Sequence, residues 1–289
     1  MKNIIITIIL VAVCTLGYAG GPWPQPKGQA YIKLSEWWTV FDEHFTDNGM
    51  RDPNLTSGIF NTTIYAEYGV TDRFTAIINA PIFSRSFMNN QRSGTTNEII
   101  VNGEAINSIG DIDIALKYGI TSPGANIPVA ISLTLGLPTG VSSGGELGNL
   151  QTGDGEFNQY LKADAGKSFS IGRAQSYVSL YAGVNNRGQD FSEEFRTGGE
   201  LGVGFANSKL WLTGKLDILR SFKNSDRTQS INSTSIFANN AEFVSYGFEA
   251  NYYVTRRAGI SAGFASVISG SIIAAAPSYS VGVFYDMGR

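Results

Sequence analysis

Between Gly110 and Gly140 the chain alternates polar and apolar residues for longer than a soluble sheet needs. Ile112, Ile114, Leu116, Tyr118 and Ile120 fall on one face, with Asp111, Asp113, Ala115 and Lys117 on the other. After a turn at Ser122-Pro123-Gly124, the pattern resumes with Val129, Ile131, Leu133, Leu135 and Leu137 against Ala130, Ser132, Thr134 and Gly136. Strict period-two alternation on both sides of a tight turn reads as a β-hairpin. Strands of soluble sheets mostly run about 5–6 residues. These are nearly twice that, one face greasy and the other charged. That suits a transmembrane barrel, apolar toward lipid and polar toward a lumen.

The same alternation predicts twelve strands, near 29–45, 57–69, 74–87, 110–120, 128–138, 158–170, 176–185, 197–205, 209–222, 241–253, 259–268 and 278–288. The connections sort by length. Long ones at 46–56, 88–109, 139–157, 186–196, 223–240 and 269–277 alternate with short ones at 70–73, 121–127, 171–175, 206–208 and 254–258. Outer-membrane barrels have long external loops and short periplasmic turns, whereas a soluble sandwich has no reason to sort its loops this way. An even strand count places both termini on the periplasmic side. The expected fold is therefore all-β, a single antiparallel transmembrane barrel of twelve strands.

Composition agrees. The chain holds 34 glycines in 289 residues, 12% aromatic and only 16% charged residues, against about 7% Gly and about 25% charged in average domains. Residues 1–19 read as a removable export signal: Lys2, an apolar core over Ile4–Val13, and Gly17-Tyr18-Ala19 as a small-x-small cleavage site before Gly20. The barrel would then occupy 20–289, and losing Lys2 takes the formal charge from -3 to -4. Cys14 raises a lipid anchor as an alternative, against which Val13 stands where a small residue belongs. Cleavage after Ala19 leaves no cysteine and no disulfide. No later run reaches the eighteen or so apolar residues of a spanning helix. No energy-coupling plug domain is visible between the leader and the first strand.

With the apolar face outward, the lumen receives Lys33, Glu67, Asp111, Asp113, Lys117, Lys162, Asp164, Arg187, Glu200, Lys215, Asp217, Glu249 and Asp286. Tyr31, Tyr65, Tyr160, Tyr177, Tyr181, Trp211 and Phe284 sit among them. The candidate solute-contacting residues are Lys33, Tyr65, Glu67, Asp111, Asp113, Lys117, Tyr160, Lys162, Asp164, Tyr181, Trp211, Lys215, Asp217 and Glu249. So much charge requires water or opposite charge beside it. Two readings compete: an internal ion-pair network that only fills the barrel, or a polar, aromatic-lined conduit for a small molecule. Twelve strands lie between the side-chain-filled eight and the open sixteen to eighteen, so a narrow or loop-gated passage is expected.

Other chemistry finds little support. The single histidine, His44, lies beside Asp42 and Glu43 at the external end of strand one. A rim enzyme would need a serine within reach of it. One histidine and no mature cysteine argue against zinc. Thr152-Gly153-Asp154-Gly155-Glu156 lacks the spaced ligands of an EF-hand. Gly199-Glu200-Leu201-Gly202-Val203-Gly204 falls in a strand, so it cannot be a phosphate-cradling loop ahead of a helix. No cofactor is indicated. The acidic charge disfavours nucleic acid. The expected partners are outer-membrane lipid, a small-molecule solute and the barrel-assembly machinery during biogenesis.

Gly110-Asp111-Ile112-Asp113-Ile114-Ala115-Leu116-Lys117-Tyr118, with Leu137-Pro138-Thr139-Gly140, resembles the phenol-degradation meta-pathway family of outer-membrane barrels. Gly21-Pro22-Trp23 and Asp52-Pro53-Asn54-Leu55-Thr56 look like related barrels of Bacteroidetes-type bacteria. The resemblance implies an envelope location and a transporter-like role beside aromatic-compound pathways. One departure is the ending Tyr285-Asp286-Met287-Gly288-Arg289, where such barrels usually finish on an aromatic residue.

Aromatic residues at strand ends suit interfacial girdles. Tyr68, Phe74, Tyr118, Tyr252, Tyr253 and Tyr285 are expected in a lower ring, and Phe41, Phe45, Phe83 and Phe87 in an upper one. In the first strand Glu36, Trp37 and Trp38 interrupt the alternation, which a β-bulge would restore. The reading reached is an outer-membrane channel for passive uptake or binding of a small molecule, hydrophobic or aromatic by the resemblance, gated by the loops at 88–109, 139–157 and 223–240. A rim enzyme near His44 and a non-conducting structural barrel are the alternatives.

Overall fold

The computed structural model describes residues 20–225 and 237–288; the expected leader, with Cys14, lies outside them. Twelve long strands form the wall: β1 Ala30–Phe45, β2 Arg51–Gly69, β3 Phe74–Met88, β4 Ile112–Gly119, β5 Val129–Leu137, β6 Asn158–Ile171, β7 Ala174–Arg187, β8 Glu194–Phe205, β9 Leu210–Ser221, β10 Glu242–Tyr253, β11 Ala258–Ser271 and β12 Ser278–Asp286. Each pairs antiparallel with the next, and β12 returns to β1 from Tyr31↔Asp286 to Thr39↔Ser278. The barrel is closed. Closure leaves no unpaired edge, the condition a sheet must meet to sit in hydrocarbon.

The period-two pattern sets the two faces. Leu116, Leu133, Leu161, Leu180, Leu212, Phe248, Ile260 and Val283 point outward and are 45–62% exposed. Their inward neighbours Lys117, Ser132, Asp164, Ser179 and Ser261 are buried. A belt of exposed leucine and isoleucine this continuous needs an apolar solvent. Among the described residues no helix is long and apolar enough to cross a membrane, which has no bearing on crossing by strands.

The described segments before β1 and after β12 share one end. There Met287 N–H donates to the Ala30 carbonyl at 2.8 Å, and the connections are short: 70–73, 120–128, 172–173, 206–209 and 254–257. The opposite, loop end carries 89–111, 138–157 and 222–241. Its first loop shrinks to 46–50, because β2 begins six residues earlier than the alternation predicts, at Arg51. Two short strands extend the wall here, Glu104–Ser108 paired with β3 and Ile273–Ala274 paired with β1, while Gln91–Arg92 and Ile99–Val101 form a separate hairpin in the 89–111 connection.

Three local expectations change. The first strand has no bulge at Glu36–Trp38: its register runs unbroken from Ala30↔Tyr68 to Phe41↔Ser57 and shifts only at Asp42. Glu36 and Trp38 both face outward; the Glu36 carboxylate is satisfied by the Thr62 hydroxyl at 2.6 Å. Trp38 stacks on Tyr279. Second, Phe41 and Phe45 are buried, at 6% and 4% exposure, so neither belongs to an outer belt. Third, Tyr253 turns inward and donates to Asp286 at 2.9 Å. Tyr68, Phe74, Tyr252 and Tyr285 do face outward at the turn end, and the Phe74 ring lies 4.7 Å from that of Tyr118.

Candidate functional site

The lumen is a large polar interior, layered along the barrel axis. At the turn end it is stoppered by the ten residues that precede β1. Gly20–Gln29 folds back into the barrel, where Gln25 is 2% exposed. Gly28 N–H donates to Gly69 O at 2.8 Å, Gln25 N–H to Thr75 Oγ1 at 2.8 Å, and Gln25 Nε2 to Glu67 Oε2 at 3.0 Å. The alternate prolines of Pro22-Trp23-Pro24-Gln25-Pro26 seat on wall glycines. A Cβ on Gly166 would stand 2.8 Å from Pro22 Cγ, and one on Gly119 2.8 Å from Pro24 Cγ. Proline holds such a segment extended without N–H groups to satisfy at three of its positions. No alternation marks this segment, so its role was not readable as a strand pattern.

Above the stopper lies a layer of rings: Tyr31, Tyr177, Trp211, Tyr253 and Phe284, with Trp23 and Tyr65 packed against them. Trp23 meets Tyr177 edge-on at 5.6 Å, and Tyr253 meets Phe284 at 4.9 Å. Edge-to-face contacts of this kind add to the burial term. Five of the aromatics that an inward-facing pattern suggested as a conduit lining, Tyr31, Tyr65, Tyr177, Trp211 and Phe284, are thus packed together as the inner face of a seal.

The middle of the barrel is a charged girdle. Glu249 accepts Lys33 Nζ at 2.8 Å and Lys215 Nζ at 2.7 Å. Tyr181 donates to Asp217 at 2.6 Å, while Lys162 pairs with Asp164 at 3.1 Å and lies over the Tyr181 ring. Nearer the stopper, Lys117 reaches Glu67 at 3.7 Å, both side chains out of water.

Toward the loop end a chamber of about 290 Å³ is lined by Asp111, Asp113, Asp154, Asn158, Tyr160, Asn185 and Arg196, with Phe237 at its edge. The 138–157 loop lies across it. Asp111, in the connection just ahead of β4, accepts the N–H groups of Gly140 at 2.8 Å and Asp154 at 2.7 Å. Burial raises the Asp111 carboxyl to about 6; those two N–H groups oppose the shift and the neighbouring Asp154 carboxylate adds to it. Arg187, on β7, grips Glu156 with two nitrogens and Glu194 at 2.7 Å, and Glu194 in turn holds Arg196. Such a buried network latches the loop to the wall.

All fourteen candidate residues fall on the inner face, in different layers. Tyr65, Glu67, Lys117 and Trp211 belong to the stopper and ring layers. Lys33, Lys162, Asp164, Tyr181, Lys215, Asp217 and Glu249 form the girdle, and Asp111, Asp113 and Tyr160 line the chamber. The sequence reasoning missed Gln25, Asp154, Glu156, Glu194 and Arg196, which sit on the stopper, on a loop, or at the top of a strand. Glu156-x-Asn158 and Glu194-x-Arg196 sit where strand meets loop, a signal that could have found them. At the rim, His44 Nδ1 is buried with no hydrogen-bond partner among the described residues. No cluster of three or more metal-ligating side chains occurs among the described residues.

The barrel superposes on an outer membrane channel from Pseudomonas putida F1, the COG4313 channel, with TM-score 0.60 and 16% identity over 93% of this chain and 99% of that one. The chain has the fold of an outer-membrane channel. Looser superpositions reach the KdgM porin in complex with oligogalacturonate (TM-score 0.46, 9% identity, 88% of this chain and 98% of that one) and the β domain of the Bordetella autotransporter BrkA (0.47, 11%, 90% and 99%). No protein-family model and no curated protein matches the chain. The likeness to the COG4313 channel is one of fold. It shows the barrel fold that the two chains share and leaves the role and the solute open.

Proposed function

We propose that this protein is a gated outer-membrane channel for passive entry of a small solute, with its turn end in the periplasm and its loops outside. The observation that carries the reading is a polar lumen stoppered at the turn end by Gly20–Gln29 and lined toward the loop end by the latched 138–157 loop. A barrel that only filled itself with ion pairs would balance its charges, whereas this interior holds more carboxylates than cations. The path is closed by pieces small enough to move, so gating by their displacement is the simplest route through.

The lumen leans toward cations. Among the described residues eleven carboxylates line it or its inward loop (Glu67, Asp111, Asp113, Asp154, Glu156, Asp164, Glu194, Glu200, Asp217, Glu249 and Asp286) against six cations (Lys33, Lys117, Lys162, Arg187, Arg196 and Lys215), a net of -5. A narrow, low-dielectric conduit of one sign concentrates the opposite ion. The likeness of Gly110–Tyr118 to the phenol-degradation family supports an aromatic solute by analogy alone.

The test is single-channel recording of the refolded protein in a planar bilayer under a salt gradient, with and without residues 20–25. Steady conductance that rises when the segment is removed, and a reversal potential on the cation side, support the channel. Glu249→Gln should then move the reversal potential toward the anion side. No current from either form would favour a structural barrel. Benzoate and benzylamine as blockers compare an aromatic anion with an aromatic cation.

A further inference from the structure

Glu67 is a fully enclosed carboxylate beside the stopper, with no solvent exposure. Its Oε1 accepts the Gly20 backbone N–H at 3.0 Å and the Tyr65 hydroxyl, and its Oε2 accepts Gln25 Nε2. The one cation beside it, Lys117 Nζ, stands at 3.7 Å and makes no hydrogen bond among the described residues. A buried carboxylate with a single, loosely placed counter-charge is poorly compensated. Gly20 is also the residue that follows the small-x-small motif Gly17-Tyr18-Ala19. Two independent observations, a cleavage signal and a buried anion, meet at one nitrogen.

We propose that Glu67 is an ammonium-binding site whose occupant is the chain's own α-amino group, freed at Gly20 by processing after Ala19. This rests on 1–19 being a leader, and it goes beyond the gating role of the stopper. Hydrolysis of the Ala19–Gly20 peptide bond adds one water, leaving a carboxylate on Ala19 and an ammonium on Gly20. A single neutral N–H donor thereby becomes a positive charge with three protons. The contact to Glu67, until then a bond from a neutral donor to a carboxylate, becomes an ion pair between two full charges. Glu67 then lies between two cations, Gly20 and Lys117, as Glu249 lies between Lys33 and Lys215 one layer above. Leader removal and closure of the turn end become one event: the unprocessed chain lacks the charge that seats the segment.

The experiment uses the full-length protein expressed with its leader, purified from membranes as the folded barrel. Intact mass and N-terminal sequencing should give Gly20 as the first residue; any other start overturns the proposal. Acetylation of the α-amine by an N-hydroxysuccinimide ester is then followed by mass spectrometry of the first tryptic peptide, in folded and denatured protein. An ion pair that raises the amine's pKa by one unit slows labelling about tenfold. We expect at least that protection in the folded wild type, and its loss in Glu67→Gln. Equal rates in folded and denatured wild type overturn the proposal. So does protection that survives Glu67→Gln, because the amine would then be buried without being paired. If Glu67→Gln does not give a heat-modifiable barrel, the wild-type pH profile decides: a labelling midpoint above the ordinary α-amino range of about 7.7–8.0 supports the pair, and one within it overturns it. Conductance is scored separately. A protected amine with no effect of deleting residues 20–25 on current would sink the gating reading and leave this one standing. A freely labelled amine with a stopper-dependent current would do the reverse.

Discussion

Arg187, on the barrel wall, grips Glu156, next to last in the long 138–157 loop, and their side chains are only 5% and 0% exposed. The latch is thus an ion pair made inside the barrel mouth rather than on its rim. Removing one partner strands the other, and broken buried pairs cost about 3–5 kcal/mol. Arg187→Met should therefore release the loop while the wall persists. Limited proteolysis should cut within 139–155 in the variant and not in the wild type, and single-channel traces should show more frequent brief openings.

The Asp111 carboxyl, raised to about 6 by burial, ties the same loop to pH. A carboxyl whose folded pKa lies above its unfolded value stabilises the folded arrangement fully below the unfolded pKa, near 4, and loses that contribution as pH rises through about 6. The loop should sit more firmly at pH 5 than at pH 7.5, giving lower conductance at the acid end. Asp111→Asn cannot ionise and keeps one of the two acceptor oxygens, for Gly140 or for Asp154. Its conductance should lose most of this pH dependence; an unchanged profile would place the titration elsewhere among Asp154 and its neighbours.

Gly119 gives a clean handle on the stopper, because a Cβ there meets Pro24 at 2.8 Å and nothing else within 3.5 Å. Overpacking of this sort costs about 1–3 kcal/mol, and the loosely tethered proline is the softer side. Gly119→Val should raise conductance while leaving the heat-modifiable mobility of the barrel as it was. Loss of the folded band on a gel would mean that β4, rather than the stopper, had yielded.

Glu36 stands on the outward face between exposed Leu34 and Val40, where the Thr62 hydroxyl donates to it. Charges on that face of a barrel destabilise it by an amount that grows with depth, less for acids than for the roughly 2–4 kcal/mol of lysine or arginine at the midplane. Glu36→Leu should therefore stabilise the barrel by about 1 kcal/mol, read as a higher urea midpoint for unfolding from vesicles. A lower midpoint would indicate that the carboxylate meets a polar partner in the membrane.

The twelve strands, their antiparallel order and the inward or outward placement of Lys117, Tyr181 and Leu133 were legible in the residues alone. A strand has a period of exactly two, and hydrocarbon outside with charge inside makes every second residue diagnostic. Where that period fails, so did the reading. Phe41, Phe45 and Tyr253 are aromatic at strand ends, and composition cannot tell a ring facing lipid from one buried against the chain. The register shift at Asp42 depends on how β1 and β2 continue past the wall, a question of pairing between two strands. The stopper, the Arg187 latch and the Glu67 cluster join residues dozens of positions apart, through contacts that exist only once the sheet has closed around them. Local alternation, in short, determines a barrel and its two faces, while what fills and shuts the barrel is set by packing across its interior.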